Sequence, residues 1–404
     1  MKKQNTWSLA WLFVAAVLTF SVSSCKEDDD DDDPTPTPSG NVIVKQNITT
    51  NTTWTRNNVY QLGGRITVVS GATLTIEAGT IIKGEAGTGA NATALLIARG
   101  GKLIADGRAD APIIFTSVAD EIAPADILAG NFNSPNLDPD VNGLWGGVLI
   151  MGKARISASN TSGDVTEVQI EGIPTSDPNG LYGGNDDADN SGIIRYVSIR
   201  HGGTNIGSGN EINGLTLGGV GSGTIIENIE IVANQDDGIE WFGGSVNVKN
   251  ALVWNVGDDA IDTDQSWSGT LDNFVVIAPD DHNFELDGPE GSYEATHTIK
   301  NGLVLATDSA MGRFSSDLIN VDQNSRVNLV DIYITKIAPG QKINRVTAPA
   351  VTFTGIQLNV PAADLANYVN GAVPAGVTAG TTNKANMTAF TWTWAHKAGK
   401  LAGF

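Results

Sequence analysis

The chain has 404 residues, with 45 acidic against 24 basic side chains and a formal net charge of −21. So acidic a protein repels nucleic acid and anionic lipid, which excludes a DNA- or RNA-binding role. A single cysteine excludes a disulfide framework, so burial and hydrogen bonds must hold the fold together.

The N-terminus has the features of a secretory leader. Lys2 and Lys3 form a basic start, and the apolar stretch from Ser8 to Phe20 is shorter than the roughly 20 residues that span a bilayer. Cys25 follows small residues and resembles the bacterial lipoprotein box, whose cysteine is acylated and becomes the first mature residue. The alternative is an unused thiol in a discarded peptide. We predict a signal peptide over residues 1–24 and an anchor to outer-membrane lipid through acylated Cys25.

Residues 25–40 form a tether. The Asp28–Asp33 run and the Pro-rich segment up to Gly40 cannot bury apolar surface. The acidic run is either a solubilising spacer or an export signal. The residues that directly follow Cys25 are Lys26-Glu27-Asp28, and this sequence resembles the surface-export signal of Bacteroidetes lipoproteins. That resemblance implies display on the exterior of the outer membrane.

From Asn41 onwards the sequence predicts strands. Short β-branched segments such as Arg65–Val69, Thr73–Ile76 and Ile113–Phe115 alternate with turns rich in Gly and Asn. Helical periodicity is almost absent. An all-β fold is therefore expected.

An internal repeat defines the architecture. The segment Asp236–Glu240 recurs as Asp258–Asp262 and more loosely as Asp280–Glu285, with first residues 22 apart. A second marker centres on asparagine and recurs in parallel, at Asn228, Asn250, Asn273 and Asn301. A period of about 22 residues suits one coil of a solenoid, because equivalent residues then stack about 4.8 Å apart.

We therefore predict a right-handed, single-stranded parallel β-helix over residues 41–340, with three short strands per coil. Asn228, Asn250, Asn273 and Asn301 should form a structural ladder of side-chain amides. Two inward apolar ladders are expected. One is formed by Ile226, Val248 and Leu271, and the other by Ile231, Val253 and Val276. A leucine-rich repeat lacks support because its Leu/Asn signature is missing, and a β-sandwich would not keep a fixed period.

The repeat fades after residue 340. Residues 341–404 are expected to form an irregular C-terminal cap, because the ends of a solenoid expose open strand edges. Within this region Asp364–Val369 suggests a helical turn, and Phe390–Trp394 suggests an aromatic strand.

Several segments together resemble a lipoprotein family that is common in Bacteroidetes and some marine bacteria and has a pectin-lyase-like β-helix. The resemblance covers most of the chain from Leu62 to Leu286. The matching segments are Gly71–Thr80, Trp145–Val148, Gly152–Ala154, Tyr182–Gly184, Gly214–Thr224 and Asp236–Gly244. The resemblance implies the fold, but it brings no chemistry that could be carried over to single residues.

The acidic repeats are the candidate site. In a stacked model, like charges about 5 Å apart repel by roughly 1 kcal/mol in water, which something must offset. The aspartates could cap turns, bind calcium or act as a catalytic pair. Glu240, Asp262 and Glu285 should face outward, because each lies beside a residue expected to face inward, namely Ile239, Ile261 and Phe284. The candidate metal ligands here are Asp236, Asp237, Glu240, Asp258, Asp259, Asp262, Asp280 and Asp281.

A separate acidic loop contains Asp187, Asp189 and Ser191, whose alternating oxygen ligands resemble part of a calcium loop. The distal bidentate glutamate of such a loop is missing. An ordinary solvated turn is the alternative. Calcium is therefore a possible cofactor at two places in the chain.

An enzyme hypothesis rests on analogy of fold. Asp236-Asp237-Gly238-Ile239 faintly resembles the paired-aspartate segment of polygalacturonases, but their Gly-His-Gly and Arg-Ile-Lys motifs are absent. We therefore favour non-catalytic binding of an extracellular glycan, of surface matrix or of an outer-membrane partner, and name no catalytic residue. The alternative is a calcium-dependent polysaccharide-degrading enzyme. Four tryptophans could stack on sugars or pack internally: Trp145, Trp241, Trp254 and Trp267.

Overall fold

A computed structural model describes residues 40–207 and 212–404. The predicted leader, Cys25 and the tether up to residue 39 lie outside the described residues. The regular secondary structure of the described residues is mostly β-strand, and most strands pair in parallel in two long open sheets, which confirms the predicted parallel β-helix. None of the described helices is long and apolar enough to cross a membrane.

The secondary structure divides into a long sheet, a short sheet and small peripheral elements. The long sheet comprises Asn41–Val44, Thr52–Trp54, Val59–Leu62, Thr73–Ile76, Ile81–Gly84, Lys102–Asp106, Ile113–Ser117, Gly192–Arg200, Ile225–Val232, Val248–Trp254, Thr270–Ile277, His297–Leu305, Arg326–Thr335, Ala350–Thr354, Ile356–Leu358 and Val377–Ala379. The short sheet comprises Arg65–Val68, Ala94–Ile97, Val148–Met151, Leu215–Gly218, Ile239–Phe242, Ile261–Asp264, Glu285–Leu286 and Asn320–Val321. Antiparallel pairs are Ala158–Asn160 with Gly163–Val165, Val168–Gln169 with Leu181–Tyr182, and Thr307–Asp308 with Arg313–Phe314. The α-helices are Pro124–Leu128 and Trp394–Lys397, and the 3₁₀ helices are Gly89–Asn91, Pro178–Gly180, Ala362–Tyr368 and Met387–Phe390.

Three short strands per coil were expected. In the central coils two of these three are joined into one bent strand of the long sheet. In Ile225–Val232 the chain turns at Asn228, whose φ of 56° lies in the left-handed region, and pairing resumes immediately afterwards. The same bend recurs at Asn250, Asn273 and Asn301. Asparagine tolerates this conformation better than other residues with a Cβ, which explains its recurrence.

The asparagine side chains form a column along this bend. Asn250 Nδ2 donates to Asn228 Oδ1 at 2.9 Å, and Asn273 Nδ2 donates to Asn250 Oδ1 at 2.7 Å. The column stops there, because Asn273 Oδ1 accepts the backbone N–H of Asn386 at 2.6 Å. Asn301 Nδ2 donates instead to Asp272 Oδ1 at 2.7 Å.

The core lies between the sheets and is built from inward columns. Ile226, Val248 and Leu271 pair in register, and each is at most 1% exposed, as the repeat predicts. The second predicted apolar column, beginning at Ile231, is buried in the same way. Stacking of coils thus makes a continuous core that no single coil could bury.

Parallel pairing continues well past residue 340, so the coils extend beyond the expected boundary. Ala350–Thr354 and Ile356–Leu358 pair with Arg326–Thr335, and Val377–Ala379 adds to them. The sequence marker is lost here because Gly355, with a φ of 67°, takes the place of asparagine at the bend.

The last residues do not cap the end of the solenoid. Residues 385–404, which we call the C-terminal strap, lie on the outer side of the long sheet, where Phe390, Trp394 and Leu401 pack on Leu252 and Trp254. The expected aromatic strand at Phe390–Trp394 is wrong. Thr393 Oγ1 instead accepts the N–H of His396 at 3.1 Å and caps a short helix. The helical turn expected at Asp364–Val369 is present as a 3₁₀ helix, Ala362–Tyr368.

The four tryptophans belong to the interior. Trp145, Trp241, Trp254 and Trp267 are all at most 1% exposed. Trp241 stacks on Trp267 with centroids 4.6 Å apart, and Trp254 lies under the strap. They are therefore packing residues and cannot form a sugar-stacking surface.

One column on the outer side of the long sheet alternates in charge from coil to coil. Pairing places six residues in register: Asp106, Arg195, Glu227, Lys249, Asp272 and Lys300. Arg195 contacts Asp106 at 2.7 Å and Glu227 at 3.2 Å, and Lys300 contacts Asp272 at 3.5 Å. Opposite charges directly across parallel strands stabilise the stack, so this alternating column is electrostatically balanced.

Candidate functional site

The outer side of the short sheet carries the acidic repeats, which the structure resolves into three columns. The turn column precedes the strands, the strand column lies on them, and the end column follows them. The turn column comprises Asn213, Asp237, Asp259, His282 and Asp317. The strand column comprises Glu240, Asp262, Glu285 and Asn320. The end column comprises Asp264, Asp287 and Asp322.

The register of the third coil differs from the prediction by one residue. Asp281 N–H donates to the carbonyl of Asp258, and Asp262 pairs with Glu285, a separation of 23 residues. Asp280 was expected above Asp258 but is an inserted residue. It is exposed and forms an ion pair with Arg313 at 2.7 Å.

The turn column is held by carboxylates that accept backbone N–H groups of the next coil. Asp237 Oδ1 accepts from the N–H of Asp259 at 2.9 Å, and Asp259 Oδ1 accepts from the N–H of His282 at 2.6 Å. Two of the predicted aspartates therefore cap turns. Each keeps a second oxygen for other contacts.

His282 carries positive charge into the turn column. Its Nδ1 lies 3.0 Å from Asp259 and 3.1 Å from Asp281, and its Nε2 lies 3.7 Å from Asp317. Burial opposes protonation, but the hydrogen bond and charge of Asp259, with the charges of Asp317 and Asp281, outweigh it. They raise the pKa of His282 to about 9. The imidazole is therefore cationic at neutral pH and neutralises part of the column.

Among the residues that the structure describes, three carboxyl groups below His282 have no cationic partner. Burial, followed by repulsion from neighbouring carboxylates, raises the pKa of Asp237, Glu240 and Asp262 well above the ordinary range. The outward direction expected of Glu240 and Asp262 holds relative to the core. However, Glu240 is only 7% exposed and Asp262 is half-buried.

The rest of the face carries more carboxyl groups than cations, although Arg345 lies 3.2 Å from Asp322 and its charge opposes the rise in the pKa of Asp287. Burial and the charge of Glu290 raise the pKa of Asp264 to about 7, and burial with the charge of Asp322 raises that of Asp287 to about 6. Burial and a hydrogen bond with Asp259 raise the pKa of Glu285 to about 8. Like charges thus stack along this face, in contrast to the alternating column.

Both aspartates of the predicted acidic loop already have hydrogen-bond partners within the protein. Asp187 accepts a hydrogen bond from Arg155 Nε at 2.8 Å and another from the Arg155 N–H at 3.0 Å. Asp189 is buried and accepts from Ser191 Oγ at 3.3 Å. Among the described residues, neither aspartate joins a group of three ligands close enough for one ion.

Carboxylates and histidine converge in three groups within the described residues. These are Asp259, Asp281, His282; Asp236, Asp237, Asp258; and Asp237, Glu240, Asp262. Sequence reasoning found seven of these eight residues but assigned no role to His282. Because the third coil contains an extra residue, a strict spacing of 22 aligned Asp281 with Asp259 and left His282 without an equivalent.

Sequence reasoning also missed Asp264, Asp287, Asp317 and Asp322. The 22-residue period is lost between Glu285 and Asn320, where one coil contains a long insertion. An alternating acidic pattern at the ends of short-sheet strands was the available signal. It becomes readable only after the register is known.

These features define a parallel β-helix with an acidic site on the outer side of its short sheet. A family model described as a pectate-lyase-like β-helix domain matches residues 46–131 and 132–401. The chain therefore belongs to this family. A search of curated proteins finds no match.

Proposed function

We propose that the chain is a lipid-anchored, outer-surface protein of the Bacteroidetes type whose acidic face binds an extracellular glycan without cleaving it. The observation that carries this proposal is the stacking of carboxyl groups over successive coils of the short sheet. Carboxylates accept hydrogen bonds from neighbouring sugar hydroxyls, and repeated coils repeat such acceptors along the axis. The half-buried Asp287 and Asp322 are accessible members of this face.

The geometry of the carboxyl pairs supports binding over cleavage. Glu285 and Asp259 make a direct side-chain hydrogen bond. Glycosidase carboxyl groups lie about 5–5.5 Å apart in retaining enzymes and about 6.5–9.5 Å apart in inverting ones. A hydrogen-bonded pair is too close for a sugar or a water to enter between its members.

A polysaccharide-degrading enzyme remains the second candidate because one observation favours it. Burial works against ionisation of Asp259, but hydrogen bonds from His282 and Glu285 outweigh it and lower the pKa of Asp259, while that of Glu285 rises to about 8. Carboxyl groups with opposed pKa values are the usual acid and base of a hydrolase. Turnover abolished by Glu285→Gln would favour this candidate.

Binding is tested with the purified full-length lipoprotein in detergent and an array of plant and host glycans, including polygalacturonate. We expect a bound glycan, no new reducing ends and no unsaturated sugar products. The double variant Asp287→Asn, Asp322→Asn should weaken binding about tenfold or more, which corresponds to about 1.4 kcal/mol. Glu227→Gln, on the alternating column, is the matched control and should bind normally. Product formation would replace the proposal with the enzyme candidate, and equal affinity of all three proteins would refute the acidic face.

The anchor and the location are tested separately. Cys25→Ala should move the protein from the membrane to the soluble fraction, and mass spectrometry should find acyl chains on the N-terminal peptide of the unaltered protein. Protease added to intact cells should degrade a surface-displayed protein. If the protein were protected from protease until the cells are lysed, it would lie on the periplasmic side of the outer membrane, and surface display would be refuted.

A further inference from the structure

The alternating column on the outer side of the long sheet is self-complementary in charge. From the N-terminal coil to the C-terminal coil, its members are Asp106, Arg195, Glu227, Lys249, Asp272 and Lys300. Negative and positive charges therefore alternate without interruption, beginning with a negative charge and ending with a positive one. Reversing the order exchanges every sign. A second copy of the column that runs antiparallel therefore sets an opposite charge against each member.

The spacing of the coils preserves this match along the whole column. Successive coils lie about 4.8 Å apart in both copies, so the column is about 24 Å long and the two copies stay in step. The two-fold axis passes between Glu227 and Lys249, so that each faces the other residue of the second copy. A shift by one coil, or a parallel two-fold arrangement, would set like charges against each other. The other opposed pairs are Asp106 with Lys300 and Arg195 with Asp272.

The coils beyond the column bring no like charges together in this arrangement. On the C-terminal side the column continues with Val330 and Thr354, which are uncharged. On the N-terminal side it continues with Glu77, because the preceding Ile76 pairs with Ala105. Antiparallel stacking sets Glu77 against Val330. Orientation and register are therefore selected by the entire face.

The charged groups of the column remain available to a second copy. The five members that form ion pairs each keep 28–45% of their side chains exposed. Lys249 is exposed and, within the part of the chain that the structure describes, forms no ion pair. It lies in register between Glu227 and Asp272. Pairing within one copy is thus incomplete at the centre of the column, beside the two-fold axis.

Net charge restricts where two copies can meet. The chain carries a formal charge of −21, so most of the surface of one copy repels a second copy. The alternating column combines equal numbers of cations and carboxylates and is neutral, whereas like charges stack on the acidic face of the short sheet. Contact through the alternating column therefore avoids this repulsion.

We propose that two copies of this chain associate through the alternating column as an antiparallel dimer with two-fold symmetry. The strand segments that carry the column are about four residues, or about 13 Å, wide, so direct contact covers about 300 Å² per copy. A standard interface buries about 800 Å² per partner, and exposed ion pairs contribute little each. The dimer is therefore weak, with a dissociation constant of about 10–100 μM, and salt weakens it further. Because the acidic face lies on the other sheet, the dimer is independent of the proposed function.

Charge reversal tests the arrangement by sedimentation velocity of the full-length protein in detergent, without glycan, at about 10–200 μM. The wild type should dimerise in about 50 mM salt, and about 500 mM salt should weaken the dimer at least tenfold. Glu227→Lys and Lys249→Glu each oppose like charges across the axis, so each variant alone should be monomeric. An equimolar mixture of the two variants restores opposite charges and should dimerise. Lys153→Glu is the matched control, since it reverses an exposed lysine outside the column, and it should dimerise normally.

The mixture also separates a lost interface from a lost fold, because an unfolded variant cannot be rescued by another. A wild type that stays monomeric at about 200 μM in low salt would overturn the proposal. A dimer that persists in both single variants would do the same, since the contact would lie elsewhere. So would two folded variants whose mixture does not associate. If a single variant failed to fold, the double variant Glu227→Lys, Lys249→Glu would decide. It exchanges the two charges and keeps the opposition across the axis, so a folded but monomeric double variant would also overturn the dimer.

Discussion

Asn273→Ala tests the role of the asparagine column more sharply than any other substitution. Asn273 is 5% exposed and has a φ of 62°. Its Nδ2 donates to Asn250 at 2.7 Å, and its Oδ1 accepts from the N–H of Asn386 in the strap at 2.6 Å. Alanine removes these two bonds and a third, longer one from Asn273 Nδ2 to the Asn386 carbonyl at 3.3 Å, and it keeps a Cβ in the left-handed region.

The cost follows from these contacts. Each lost hydrogen bond that leaves a shielded partner costs about 1–3 kcal/mol, and the left-handed conformation costs alanine about 1 kcal/mol. We expect a loss of about 3–5 kcal/mol in the free energy of unfolding. Asn273→Gly removes the same bonds without the conformational cost, so it should be more stable than the alanine variant by about 0.5–1 kcal/mol.

Denaturant unfolding followed by circular dichroism measures these differences. Asn228→Ala is the matched control. Asn228 begins the column and accepts one side-chain bond from Asn250. Its substitution should cost about 2 kcal/mol. If Asn273→Ala cost no more than Asn228→Ala, the link between column and strap would be energetically irrelevant. If alanine and glycine at position 273 were equal, the bend would not explain the choice of asparagine.

Three further results are expected. The folded pKa of His282, about 9, exceeds its reference value of 6.5. Protonated His282 therefore stabilises the fold by about 3 kcal/mol below pH 6.5, and this stabilisation is lost as the pH rises through 9. The unfolding free energies of the wild type and His282→Asn should differ below pH 6.5 and converge above pH 9. A difference that stays constant with pH would contradict this. Gly302→Ala puts a Cβ 2.0 Å from the Phe274 ring and should lower the free energy of unfolding by about 1–3 kcal/mol. Adding Phe274→Leu should restore part of this stability. If it does not, the clash is not the cause of the loss. Trp394→Ala should cost about 3–5 kcal/mol in denaturant and increase protease cleavage near the C-terminus, whereas an unchanged midpoint would show that the strap contributes nothing.

The sequence predicted the architecture because the repeat is local and the bend demands a particular residue. Asn228, Asn250 and Asn273 mark left-handed positions that few residues tolerate, and the apolar columns follow from strand alternation. The prediction lost accuracy where the coil length changes. One inserted residue, Asp280, shifted the third coil by one position, because register in a solenoid is set by backbone pairing and cannot be counted across an insertion.

Burial at the candidate site could not be read from the sequence. A strand pattern showed that Glu240 and Asp262 point away from the core, but the covering of this face comes from distant segments. Phe242, for example, lies on the same side of the strand as Glu240 and packs against Tyr182, which is 60 residues earlier. The strap was missed for the same reason, because short aromatic segments such as Phe390–Trp394 are ambiguous until the surface they cover is known.

The strap alters how such a solenoid should unfold. Coils that touch only their neighbours open one at a time, from either end. Here the N–H of Ala395 donates to Glu230, 165 residues earlier, and Asn386 bonds to Asn273 over 113 residues. These ties join coils that are not neighbours in the stack, so they should make the middle of the molecule melt as one cooperative unit. They also form only after the last residues have emerged, which makes folding of that region a late event.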